Sequence, residues 1–109
     1  MSTISTHVLD TSLGKPAAGI RVTLRRDGSL IGSGETNEDG RVRDLLAKDS
    51  SLSEGDYTLS FSVADYFSKS GRPTFYTDIE IKFRIHSASE HYHVPLLLSP
   101  FGYSTYRGS

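Results

Sequence analysis

Cysteine is absent from this 109-residue chain. That excludes a disulfide framework, a thiolate nucleophile and a sulfur-ligated metal, and it fits a reducing compartment. An excess of charge of one sign is missing as well: 12 basic and 13 acidic residues leave a formal net charge of −1. So balanced a chain has no electrostatic footprint for nucleic acid or an anionic membrane, and neither is an expected partner. No window approaches the ~20 apolar residues of a membrane span. The opening MSTISTHVLD has neither the basic flank nor the apolar segment of a secretory signal. The expectation is a soluble, cytoplasmic protein.

Sustained helical periodicity is scarce, and in its place short alternating or β-branched runs recur between turn signals. This is the pattern of a β-sandwich or barrel. Strands are predicted near residues 4–10, 19–26, 29–36, 41–45, 55–64, 77–86, 91–98 and 102–106. SLGKPAAG breaks the chain after the first strand, Asp27-Gly28 signals a hairpin because both residues tolerate positive φ, and TNEDG ends in a second Asp-Gly before Arg41. One short helix is predicted over 64–71, where Tyr66 and Phe67 stand at helical spacing from Ser70 and a glycine follows. No repeat or linker divides the chain, so residues 1–109 form a single domain. At this length about 60–70% of the unfolded surface is all that folding buries, and subunit association is a natural supplement.

Alternation assigns faces to the strands. In HYHVPLLL, Tyr92, Val94, Leu96 and Leu98 share a core face, while His91, His93, Pro95 and Leu97 share the other. Two titratable rings beside a proline and a leucine make neither a good interior nor an ordinary solvated surface. The first strand has the same mixture, with His7 and Leu9 pointing away from the side of Val8, and Ser104 and Tyr106 align near the end. If these three strands are neighbours, their outer faces form one patch, and an apolar patch rimmed by polar groups marks an interface. Pro95 has no N–H to donate, so a local break in pairing is expected there.

Histidines two apart on a strand have Cα atoms about 7 Å apart and could share a metal, with His7 as a third ligand. No Asp, Glu or Cys stands at a convincing companion spacing, and the alternative is surface histidines without a role. General acid–base work is the other chemistry open to His7, His91 and His93, since imidazole titrates near neutrality. His86, at a strand end, reads as solvated surface. Arg41 is either a surface charge or a fixed cation for a planar anion. Ser104 lacks the Gly-x-Ser-x-Gly turn of a hydrolase nucleophile, and Tyr103 and Tyr106 are of a type that more often packs than ionises.

HVLD followed by a glycine/proline turn, Asp-Gly-Arg at 39–41 and HYHVPLLLSPFGYSTYRGS at 91–109 together resemble the transthyretin-like family over essentially the whole chain. The terminal Tyr-Arg-Gly-Ser is the most specific part and is similar to the 5-hydroxyisourate hydrolases of that family. The hormone-carrying transthyretins share the Ser-Pro-aromatic and Tyr-Ser-Thr segments without the histidines, the arginine or the YRGS ending. The resemblance implies an all-β, two-sheet antiparallel β-sandwich, a dimer joined by edge strands, and a homotetramer of two dimers with active sites in the channel between them. It implies hydrolysis of 5-hydroxyisourate to 2-oxo-4-hydroxy-4-carboxy-5-ureidoimidazoline with no metal or organic cofactor. Carried onto this sequence, the catalytic groups are His7, Arg41 and His93; His7 and Arg41 also bind substrate, with Ser104, Tyr106 and Ser109. The alternative it leaves is a carrier holding a small aromatic ligand in the same channel.

Overall fold

Alternating side chains give each strand one face for an opposing sheet, and a sandwich of two sheets follows. The computed structural model describes residues 3–47 and 52–109. In chain order these form β1 (Ile4–Asp10), β2 (Lys15–Pro16), β3 (Arg21–Arg26), β4 (Ser29–Glu35), β5 (Arg41–Val42), β6 (Gly55–Phe61), α1 (Val63–Lys69), β7 (Ile79–Ile85), β8 (Tyr92–Ser99) and β9 (Gly102–Thr105). One sheet runs β2-β1-β8-β9, with β5 also paired to β1; the other runs β4-β3-β6-β7.

Ile4, Val8, Tyr92, Val94, Leu96 and Leu98 of the first sheet share the core with Val22, Leu24, Leu59, Phe61, Ile79 and Ile85 of the second. Fully burying one such aliphatic side chain contributes about 1.5–3 kcal/mol. A one-residue slip of β8 would exchange the Tyr92, Val94, Leu96, Leu98 set for the histidine set, so the register is strongly specified. The face assignment read from HYHVPLLL holds.

β1 and β8 run parallel, from Ile4 beside Tyr92 to Asp10 beside Leu98. Every other strand pair is antiparallel, so the sandwich expectation stands with this one pair excepted. Hairpins impose antiparallel pairing, but the chain crosses the whole second sheet between β1 and β8, and no tight turn dictates their direction. The hairpin read from Asp27-Gly28 is present: both residues have positive φ, 50° and 81°, and Arg26 pairs with Ser29 across it.

Boundaries moved where tertiary contacts outweighed local pattern. The strand predicted to 64 stops at Phe61, because Val63 and Phe67 turn one helical face into the core. The strand predicted over 41–45 keeps only Arg41 and Val42; Leu45 leaves the ladder, yet its N–H donates to the Ile4 carbonyl at 2.8 Å and its side chain is buried. β2 was not predicted at all, being two exposed residues inside a turn-rich stretch. At Pro95 the ladder continues unbroken toward β1. Toward β9 it stops at Leu96 and returns only as a single bridge between His93 and Gly108. Thr105 Oγ1 donates to the Pro95 carbonyl at 2.7 Å, so it is the β9 side that the proline nitrogen faces, without a hydrogen to give.

Candidate active site

The three strands whose outer faces looked unusual are neighbours, in the order β1-β8-β9. Parallel register sets Ser5 beside His93, His7 beside Pro95 and Leu9 beside Leu97, and Ser104 lies opposite Leu97. Arg41 reaches the same face from the other side of β1, as the partner of His7.

The TNEDG loop fixes that arginine. Asn37 accepts the N–H groups of Asp39 and Arg41 on its side-chain oxygen, at 2.9 and 3.0 Å. Gly40, at φ +75°, packs so close to β1 that a Cβ would stand 2.4 Å from the Val8 carbonyl. The Val8 N–H in turn donates to the Gly40 carbonyl at 2.7 Å. Only glycine satisfies both the turn and the approach, and the next residue is thereby delivered opposite His7.

Ser5, Thr6, Arg41, Val42, Arg43, His91, His93 and Ser109 line a cavity of about 400 Å³. His7 stands at its margin, half-buried next to Arg41, and does not line it. Of the residues named from sequence, Arg41, His93 and Ser109 thus converge on one cavity with His91. Tyr106 borders a separate cavity of about 290 Å³, which it shares with His93 and the more apolar Ile81, Phe83 and Tyr92. Ser104 is exposed and borders neither.

No acidic side chain lines the larger cavity. Among the described residues the Arg41 guanidinium has no carboxylate within ion-pair distance. Burial lowers the basicity of His7, and the Arg41 charge lowers it further, against a smaller opposing pull from Asp39. Burial likewise lowers His93, followed by the charges of Arg41, His91 and His7. Both rings are held neutral at neutral pH, the form in which imidazole accepts a proton. A lone guanidinium beside them suits an oxygen that gains negative charge. Among the described residues no group of three or more His, Cys, Asp or Glu side chains is placed to hold a metal ion.

Ser5 escaped the sequence reading, which took Arg107 and Gly108 only as parts of the Tyr-Arg-Gly-Ser ending without a role for either. Ser5 Oγ lies 2.7 Å from His93 Nδ1 and 3.3 Å from His91 Nε2, and the two rings stack at 6.4 Å with planes 13° apart. Gly108 donates its N–H to the His93 carbonyl at 2.8 Å; a Cβ there would meet His93 Cδ2 at 2.5 Å. Arg107 pairs with Glu90 at 3.0 Å and lies over the Tyr92 ring at 4.5 Å. These contacts hold the tail against β8 and deliver Ser109 to the cavity. Ser5 shares its face with His7, a signal visible in the alternation of β1, but serine is too common at strand surfaces to stand out alone.

Residues 4–108 match the model of the HIUase/Transthyretin family. The chain is 47% identical over 114 residues to 5-hydroxyisourate hydrolase 2 of Rhizobium meliloti (strain 1021), covering 97% of this chain and 95% of that protein. Among solved structures it is similar to the 5-hydroxyisourate hydrolase of Klebsiella pneumoniae, with a TM-score of 0.90, 40% identity and complete coverage of both chains. It is also similar to sea bream transthyretin in complex with thyroxine, with a TM-score of 0.87, 28% identity, and 97% and 94% of the two chains covered.

Proposed function

The chain belongs to the HIUase/transthyretin family, and from that premise we propose how its outer sheet face performs hydrolysis. It is a hydrolase of 5-hydroxyisourate in urate degradation. The observation that carries the mechanism is the convergence of the His93 imidazole, its basicity lowered, and an arginine without a carboxylate partner among the described residues on one cavity lined by no acidic side chain. His93, with His7 beside it, orients a water and removes its proton as the oxygen attacks a ring carbonyl. Arg41 holds the anionic ring and stabilises the oxygen that becomes negative as the carbonyl turns tetrahedral. Ser109 contacts the substrate from the tail, and the ring opens to 2-oxo-4-hydroxy-4-carboxy-5-ureidoimidazoline. Ser104, opposite Leu97 on β9, and Tyr106, at the neighbouring cavity it shares with His93, complete the substrate contacts once the face is covered.

The cover is a second pair of subunits, giving a homotetramer. Supporting this, the histidine-bearing face carries Leu9, Pro95 and Leu97, and Leu13 and Phe101 stand 53% and 67% exposed on the two turns of the same sheet. Light scattering is expected to give four subunits, and Phe101→Glu to lower that number. No described helix is long and apolar enough to cross a membrane. The cysteine-free sequence supports placement in the cytoplasm.

A transthyretin-type carrier would need an apolar cavity for its aromatic ligand, whereas Arg41, Arg43, His91 and His93 line this one. The deciding experiment generates 5-hydroxyisourate from urate with urate oxidase and follows its ultraviolet decay. Acceleration beyond the spontaneous rate is expected; decay at the spontaneous rate in a tetrameric sample would overturn the hydrolytic reading.

A further inference from the structure

The first strand carries a polar group on the catalytic face that acid–base chemistry at His93 leaves unexplained. Ser5 is buried, 8% exposed, and its hydroxyl stands between His93 Nδ1 at 2.7 Å and His91 Nε2 at 3.3 Å. Beyond His91, its Nδ1 pairs with Thr3 Oγ1. Thr3, His91, Ser5 and His93 thus form one hydrogen-bonded row along the edge of the cavity. His93 Nε2 has no partner among the described residues.

A hydroxyl has one hydrogen to give, so the row has a direction. With His93 as the base, its unpartnered Nε2 holds the lone pair, so Nδ1, the ring nitrogen facing the Ser5 hydroxyl, carries the hydrogen. Ser5 then accepts from His93 Nδ1–H and donates to His91 Nε2, and His91 Nδ1–H points to Thr3.

From this row we infer that Ser5 is a positioning residue that fixes the Nδ1–H tautomer of His93, leaving the Nε2 lone pair for the water, and that it conducts the abstracted proton to His91. The inference rests on the reading of His93 as the base. Water gives its proton to His93 Nε2 as its oxygen bonds to the carbonyl. His93 Nδ1 then releases its own proton to Ser5 Oγ while the Ser5 hydroxyl proton passes to His91 Nε2. Serine ends as it began, His93 is neutral with its hydrogen on Nε2, and exposed His91 carries the charge to solvent. The charges facing His93 are Arg41 on β5, His7 on β1 and His91 beside it; all three are basic groups, so each makes retention of the proton on His93 less favourable. The tail closes the opposite edge, with Gly108 against His93 Cδ2, and the ring is gripped on both sides.

The test reads the tautomer directly, by nitrogen-15 NMR of histidine-labelled protein at about pH 8, where imidazole is neutral. His93 is expected as Nδ1–H in the unaltered protein. In Ser5→Ala that preference is lost and kcat falls roughly 10- to 100-fold, no more than a positioned base contributes, with KM little changed. Ser5→Thr, which restores a hydroxyl, recovers both the tautomer and most of kcat. An Nε2–H tautomer in the unaltered protein, or undiminished kcat in Ser5→Ala, would overturn the inference. Full activity in His93→Ala would instead remove the base reading and leave the tautomer measurement standing, so the two failures are distinguishable.

Discussion

Two charged clusters sit three residues apart on β1 and are built on opposite terms. Asp10, at the core-facing end, is completely buried. Its carboxylate accepts from Ser12 N–H and Oγ–H, Leu13 N–H, Tyr66 OH and Arg72 Nη2, the last two at 2.7 and 2.6 Å. Arg72 also lies over the Phe67 ring at 4.9 Å. Burial alone would raise the Asp10 pKa; the bonds from Arg72, Ser12 and Tyr66 and the Arg72 charge outweigh it and hold the carboxyl well below the usual carboxylate range. At the outward-facing end, Arg41 has no carboxylate partner among the described residues, and its charge depresses two imidazoles. A saturated cluster ties β1 to α1; the other leaves its guanidinium without a carboxylate among the described residues, which is what the proposed substrate role of Arg41 requires. The lesson is that the missing counter-ion, not the presence of charge, separates a site from a strut.

The comparison breaks hardest at His93. His93→Ala is expected to lower the enzyme-dependent rate of 5-hydroxyisourate decay by about 100- to 10,000-fold while leaving the denaturation midpoint nearly unchanged. Equal loss of rate and of stability would place His93 with the struts.

Arg72→Met strikes the other cluster. Leaving Asp10 buried without its cation costs about 3 kcal/mol, read as a lower denaturant midpoint, with kcat per folded molecule retained. Next comes Arg41→Gln, for which loss of a positioned charge predicts roughly 100-fold lower kcat/KM. Its effect on stability stays within about 0.5 kcal/mol, because no ion pair is lost. Destabilisation by Arg41→Gln comparable to that of Arg72→Met would erase the distinction between the two arginines.

Acid separates the clusters more gently. His7 and His93 titrate below the ordinary 6.5, so kcat/KM holds at neutral pH and falls only as pH drops through their lowered values. Over the same window the unfolded chain takes up protons first, and stability begins to decline just below pH 6.5. The Asp10 contribution is fully present above the ordinary carboxyl value of 3.8 and is lost only as pH falls through its depressed folded value. A pH–rate profile alongside acid denaturation should show two separated losses, activity first and the Asp10 strut last. A rate flat between about pH 5 and 8 would remove the titrating histidines from the mechanism.

Much of this was legible in particular residues. Alternation in HYHVPLLL sorted core from outer face, because period two is a local property of extended chain. Asp27-Gly28 announced its hairpin through the φ values that those residues tolerate. The parallel pairing of β1 with β8, the brevity of β5 and the existence of β2 were not legible, since each depends on a partner distant in sequence. In the site, His7, Arg41, His93 and the tail stood out by type and motif. Ser5 did not, and Gly108 did only as part of that tail motif: one serine among seventeen, or a glycine near a terminus, gains its particular role from the ring it touches.

By itself, then, the sequence determined which residues face inward, where the chain turns, and that reactive rings gather on a face unsuited to water, because these follow from side-chain chemistry and short-range sterics. Tertiary structure alone decided that β1 lies parallel to β8, that Gly40 lets Arg41 stand opposite His7, and that Ser5 falls between two imidazoles. Those are matters of register between distant strands, set by how a whole core closes rather than by any residue's neighbours in the chain.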